Sequence, residues 1–173
     1  MALAVCLLFD RPGDLFVRGL WARLEQEGVR TLLSHTHGHH LPHLSYGVLI
    51  DWSLDDVRAS VESLPDAGPF DLTFHGAVVF PRGRVALAPS LPSYVGARQE
   101  AVATALAGAG TVHRHYAPGE WVPHVSLATR ANGAGQPVAL RTIADVVPVT
   151  VRAEQAALVD SSTGDTWPLP GIP

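Results

Sequence analysis

The chain has 173 residues, 47% of them apolar and 16% charged, with a net charge of -4. That suits a single globular domain, 1–173, and excludes two independent enzyme domains. The 12 basic residues are all arginines and are outnumbered by 16 acids, which excludes an extended nucleic-acid interface but leaves room for a short phosphate-bearing ligand.

The first element is a continuous apolar strand over residues 2–10. It has no basic segment before it and ends at Asp10-Arg11-Pro12 rather than at a small-residue cleavage site, so it reads as a buried strand and not an export signal. Its Cys6 is the only cysteine, which rules out an internal disulfide and fits a core thiol in a cytoplasmic protein. No stretch reaches the length of a membrane span.

Residues 12–28 predict an amphipathic helix, with Pro12 in its first turn and Phe16, Leu20 and Leu24 as its buried stripe. A mixed, histidine-rich stretch over 29–42 predicts a short strand and a loop. A strand follows over 43–51, then a helix from Ser53, its possible cap, to Leu64. Residues 70–80 and 84–88 read as a hairpin turning at Pro81-Arg82-Gly83. A helix over 92–109 leads to strands over 111–116 and 122–129. After a Gly-rich loop come a weak helix near 138–146, a last strand over 149–159 and a proline-rich tail.

Two segments stand out as copies of one another. Pro42-His43-Leu44-Ser45 and Pro123-His124-Val125-Ser126 each open a predicted strand. Alternation along a strand sends His43 and Ser45 to one face, with Leu44, Tyr46 and Val48 behind, and the same parity groups His124 with Ser126. Gly47 and Ala128 come next on the polar faces and are expected to floor an open cleft. If the two halves share that cleft, two imidazoles and two hydroxyls converge. One neutral and one charged imidazole suit phosphodiester cleavage as base and acid, with the hydroxyls holding phosphate oxygens. A lone His-x-Ser triplet is weak evidence among nine histidines; two copies sharing the proline and the apolar positions carry the inference.

Pro42-His43-Leu44-Ser45-Tyr46-Gly47 and Pro123-His124-Val125-Ser126-Leu127-Ala128 resemble the paired His-x-Thr/Ser motifs of the two-histidine phosphoesterases, the superfamily of RNA 2′,5′-ligase-like proteins and cyclic nucleotide phosphodiesterases. The hairpin from Phe70 to Arg82 resembles that family's middle hairpin. The resemblance implies a bilobal α+β fold, with two pseudo-symmetric lobes whose antiparallel sheets line a central cleft. It also implies 2′,3′-cyclic phosphate or 2′,5′-linked substrates, His43 and His124 as acid and base, and Ser45 and Ser126 as phosphate ligands. Serine stands at both positions where threonine is commoner in the family.

Several other residues invite a role. Arg82 and Arg84 flank a turn glycine, and Arg82 and Arg130 are candidate substrate contacts, each weighed against plain surface charge. Trp121 can stack a base or simply pack between the halves. Tyr46 belongs to the apolar side, and His75, His113 and His115 read as structural or exposed. The run His35-Thr36-His37-Gly38-His39-His40 resembles the metal motif of metallo-β-lactamase-like hydrolases but carries histidine at its aspartate position. A solvated loop at the cleft mouth is the preferred reading, so no metal or other cofactor is expected. The expected partner is a small nucleotide or RNA end, with no membrane and a monomeric protein. The competing functions are a non-catalytic RNA-end or nucleotide-binding protein of the same fold and a zinc hydrolase built on His35 to His40.

Overall fold

The computed structural model describes residues 2–173. Eight strands, β1 (Leu3–Phe9), β2 (His43–Trp52), β3 (Phe70–Phe80), β4 (Arg84–Pro89), β5 (Gly110–Val112), β6 (Val125–Ala128), β7 (Val149–Asp160) and β8 (Thr166–Pro168), are interspersed with four helices, α1 (Arg11–Gln26), α2 (Leu54–Glu62), α3 (Ser93–Ala107) and α4 (Gly135–Ala144). The strands form one sheet in the order β5-β2-β1-β7-β3-β4-β6, with β8 alongside β7. All its pairings are antiparallel, so the α+β class holds.

The apolar run of β1 is buried on both faces, Leu3, Val5, Cys6 and Leu7 all being fully inaccessible. β3 instead alternates, with Phe70, Leu72 and Phe74 inward and Asp71 and His75 exposed. Helix α1 is capped by the Asp10 carboxylate, which accepts the Gly13 N–H. It buries Val17, Leu20, Trp21 and Leu24, an i, i+3, i+4, i+7 stripe into which Trp21 rather than Phe16 sinks fully.

β7 joins the two halves. Its residues 149–153 pair with β3 and its residues 153–160 with β1, and Ala153 faces both Phe9 and Phe70. The halves are therefore parts of one sheet rather than two separate ones. β2 and β6, with β1, β7, β3 and β4 between them in pairing order, nevertheless touch. Such contact requires the sheet to curl.

Four expectations change. Residues 29–42 hold no strand beyond a bridge between Thr31 and Ala128. β6 begins at Val125 rather than 122, because Pro123 has no N–H for a ladder. β5 stops at Val112, and residues Arg114–Tyr116 form a 3₁₀ turn capped by the His113 side chain. The proline-rich tail supplies β8.

Candidate active site

Both motif strands carry a β-bulge at the same place. Val5 and Cys6 of β1 face Gly47 and Ser45, leaving Tyr46 as an extra residue on β2. Val85 and Ala86 of β4 face Ala128 and Ser126, leaving Leu127 extra on β6. A bulge reverses the alternation beyond it. His43 and Ser45 are accordingly half-buried on one face while Leu44, Tyr46 and Gly47 are all buried.

The expected floor of the cleft is thereby corrected. The position a Gly47 side chain would occupy is filled by Leu106 of α3, with Val102 nearby, so Gly47 is small to let helix and sheet close. Ala128, 2% exposed, belongs to the apolar core. Val48, expected at the back, is half-buried beyond the bulge.

The two histidines are held identically. Nδ1 of His43 lies 2.7 Å from the Leu41 carbonyl, and Nδ1 of His124 lies 2.7 Å from the Val122 carbonyl. A carbonyl only accepts, so each Nδ1 carries the proton and Nε2 is the nitrogen left for chemistry. The serines between motif and bulge are anchored in parallel as well: the Trp121 indole N–H donates to the Ser45 carbonyl at 3.1 Å, and the Trp21 indole N–H to the Ser126 carbonyl at 3.0 Å. Trp121 thus reaches across from the second half to the first motif.

Burial lowers the pKa of both imidazoles, against the upward pull of their carbonyl partners. His124 is further lowered by the charges of His43 and Arg84, which puts both groups within electrostatic reach of it. Arg84 faces Phe80 across the hairpin, and the Phe80 ring packs 4.7 Å from that of His124. The same guanidinium depresses His35 and His113, after burial in each case. Of the two motif histidines, Arg84 acts on His124. Arg82 occupies the turn with a left-handed φ of 66°.

Tyr116, which nothing in its sequence context singles out, adjoins Ser45. Burial pushes its hydroxyl up to about 12, while the adjacent Ser45 and Arg84 pull it down. Ser45 Oγ also lies 3.8 Å from the buried Cys6 thiol, itself pushed up to about 12 by burial. Gln99 of α3, 1% exposed, ties this corner together: its side-chain amide donates to the carbonyls of Tyr46, the bulge residue, and Tyr116. A glutamine on a helix face carries no sequence signal of such a role. Arg84 had one, since hairpin register sets it opposite Phe80.

The histidine-rich loop lies by the first motif. His40 is lowered to about 4 by burial and by its neighbours His37, His43 and His35. The His37 and His40 rings sit 4.1 Å apart. His37 Nδ1 accepts the His39 backbone N–H, and His40 Nε2 shares a hydrogen bond with the Thr36 hydroxyl. Among the described residues no three histidine, cysteine, aspartate or glutamate side chains are arranged to hold a metal ion. Arg130 is exposed beyond β6 and reaches His35 electrostatically. Trp121 is half-buried and meets Tyr46 edge to face at 5.8 Å. His75 and His115 are exposed.

No curated protein sequence matches this chain. Among solved structures, one described as a phosphoesterase superposes with a TM-score of 0.60 at 14% identity, covering 98% of this chain and 94% of its own. Usb1 of Kluyveromyces marxianus, solved with uridine monophosphate, gives 0.51 at 15% identity, covering 97% and 98%. Those likenesses establish the fold. The sequence model of the 2′-5′ RNA ligase superfamily matches residues 14–165, a span that includes both histidine motifs, both bulges and the hairpin between them, and the chain belongs to that superfamily.

Proposed function

We propose that this protein is a metal-independent phosphoesterase that hydrolyses, or in reverse forms, 2′,3′-cyclic phosphate or 2′,5′-phosphodiester bonds of RNA ends or nucleotides, with His43 and His124 as acid and base. The observation that carries this reading is the duplicated placement of two imidazoles, each with Nδ1 tied to the carbonyl two residues back and Nε2 free. In hydrolysis the neutral Nε2 takes a proton from water as its oxygen bonds to phosphorus. The bond from phosphorus to the ribose oxygen breaks, and the second imidazole, protonated, gives its proton to that oxygen. The Ser45 and Ser126 hydroxyls donate to non-bridging oxygens, and Arg84 offsets the charge that builds on them. No step calls for a metal.

The fold shared with a protein solved with uridine monophosphate supports a ligand of nucleotide size. Net charge of -4 supports a short substrate over a long nucleic acid, and the unpaired thiol of Cys6 fits a reducing cytoplasm. We take the protein to act as a monomer, since the curled sheet supplies both histidines from one chain. A binding-only role is disfavoured, because it gives no reason for two Nε2 atoms kept free in matching settings. Turnover of 2′,3′-cyclic nucleotides and 2′,5′-linked dinucleotides by the purified protein is the test. His43→Ala and His124→Ala should each lower kcat by roughly 10²–10⁴ while the circular dichroism spectrum is unchanged. Near-normal rates in both variants would refute the assignment.

A further inference from the structure

A second concavity opens just past the end of β6. It encloses about 100 Å³ and is lined by Arg30, Ser34, His35, Thr36 and Arg130, with Thr31 and Thr129 completing it. Backbone pairing holds its two sides together: the Thr129 N–H donates to the Arg30 carbonyl at 2.9 Å, and Thr31 bridges Ala128. One oxygen of the Glu25 carboxylate accepts the hydroxyls of Thr31 and Ser34, each at 2.7 Å, and the Ser34 backbone N–H at 3.2 Å. The wall is therefore built rather than loose.

With those hydroxyls engaged, and those of Thr36 and Thr129 bonded to His40 and the Arg30 carbonyl, the side chains left for a ligand are the Arg30 and Arg130 guanidiniums and the His35 imidazole. The ion pairs among the described residues include neither Arg30 nor Arg130. Two unpaired arginines in a small polar cavity suit a phosphate, which takes paired N–H donors. His35 links this cavity to the catalytic cleft, since both Arg130 and Arg84 act on it electrostatically. Arg84 in turn acts on His124. The cavity also borders the second motif strand directly, since Thr31 bridges Ala128, the last residue of β6.

We infer that this cavity is a second phosphate site. The substrate class is then a nucleotide or oligonucleotide with a further phosphate beside the reacting one, rather than a cyclic mononucleotide alone. The inference rests on the phosphoesterase reading for the reaction but not for the binding, and two measurements separate them. In the first, uridine 3′-monophosphate and uridine 3′,5′-bisphosphate are titrated against the wild-type protein and the Arg30→Gln/Arg130→Gln double variant. The bisphosphate should bind wild type about tenfold or more tightly than the monophosphate, a preference that falls towards unity in the double variant and weakens with salt. In the second, uridylyl-uridine 2′,3′-cyclic phosphate is compared with uridine 2′,3′-cyclic phosphate. Its advantage in kcat/KM should shrink in the double variant by the same factor.

Equal binding of the two ligands by wild type, or a preference that survives in the double variant, overturns the second site, whether or not turnover is seen. A bisphosphate preference that the double variant loses, found in a protein that turns over neither cyclic phosphate, upholds the site and removes the catalytic reading. Since both arginines are exposed, the variants should fold, and the single substitutions should each lose part of the preference.

Discussion

At the scale of single residues, the proposed chemistry depends on where two imidazole protons are lost. Burial lowers both His43 and His124, so each gives up its proton at a lower pH than a free histidine. The protonated acid is lost as pH rises through its lowered pKa, and the neutral base is lost as pH falls through its own. Both limbs of the bell-shaped kcat/KM profile are thus displaced downward, and the optimum should lie below about 6.5, the ordinary histidine value. Arg84→Met removes one of the charges that lower His124. One limb should then move to higher pH while the other stays, because burial still governs His43. An unshifted profile in that variant would separate Arg84 from the site.

At the scale of elements, the bulges decide which residues of the motif strands turn into the core. Gly47 sits just past the first bulge, where a side chain would run into Leu106. Gly47→Ala should therefore act on the packing of α3 against β2, lowering unfolding stability by about 1–3 kcal/mol in urea titration with KM close to wild type. A raised KM with unchanged stability would return Gly47 to the cleft. The histidine-rich loop invites a separate test. The two-histidine scheme needs none of its imidazoles, so chelator-treated protein should keep full activity, and replacing His37 and His39 together should change KM at most. Activity lost on chelation and restored by zinc would shift the chemistry to that loop.

For the molecule as a whole, the same histidines make stability depend on pH. His43, His124, His35, His113 and His40 are all lowered in the folded state, burial being the first cause in each. The unfolded chain then binds more protons than the native one once pH drops below about 6.5. Stability should be full above that value and decline as pH falls, with the contribution of His40 lost progressively down to about 4. Urea midpoints measured from pH 7.5 to 4.5 should fall steadily, and His40→Gln should flatten the decline. A midpoint that holds constant across this range would contradict the burial of these rings.

The sequence by itself determined the elements with strong local signatures: the buried β1, the amphipathic α1, the β3–β4 hairpin and the two Pro-His-apolar-Ser copies, whose proline and alternation are local properties of the chain. It also placed His43 with Ser45 and His124 with Ser126, because parity holds over two residues. Parity failed beyond them at Gly47 and Ala128, since a bulge depends on the partner strand and leaves no mark in its own sequence. The tertiary structure alone decided which distant groups serve the motifs: Trp21 from α1, Gln99 from α3, Tyr116 from a 3₁₀ turn and Arg84 from β4. The physical reason is the curl of the sheet, which brings β2 against β6 across four intervening strands. Contacts of that kind depend on the path of the whole chain.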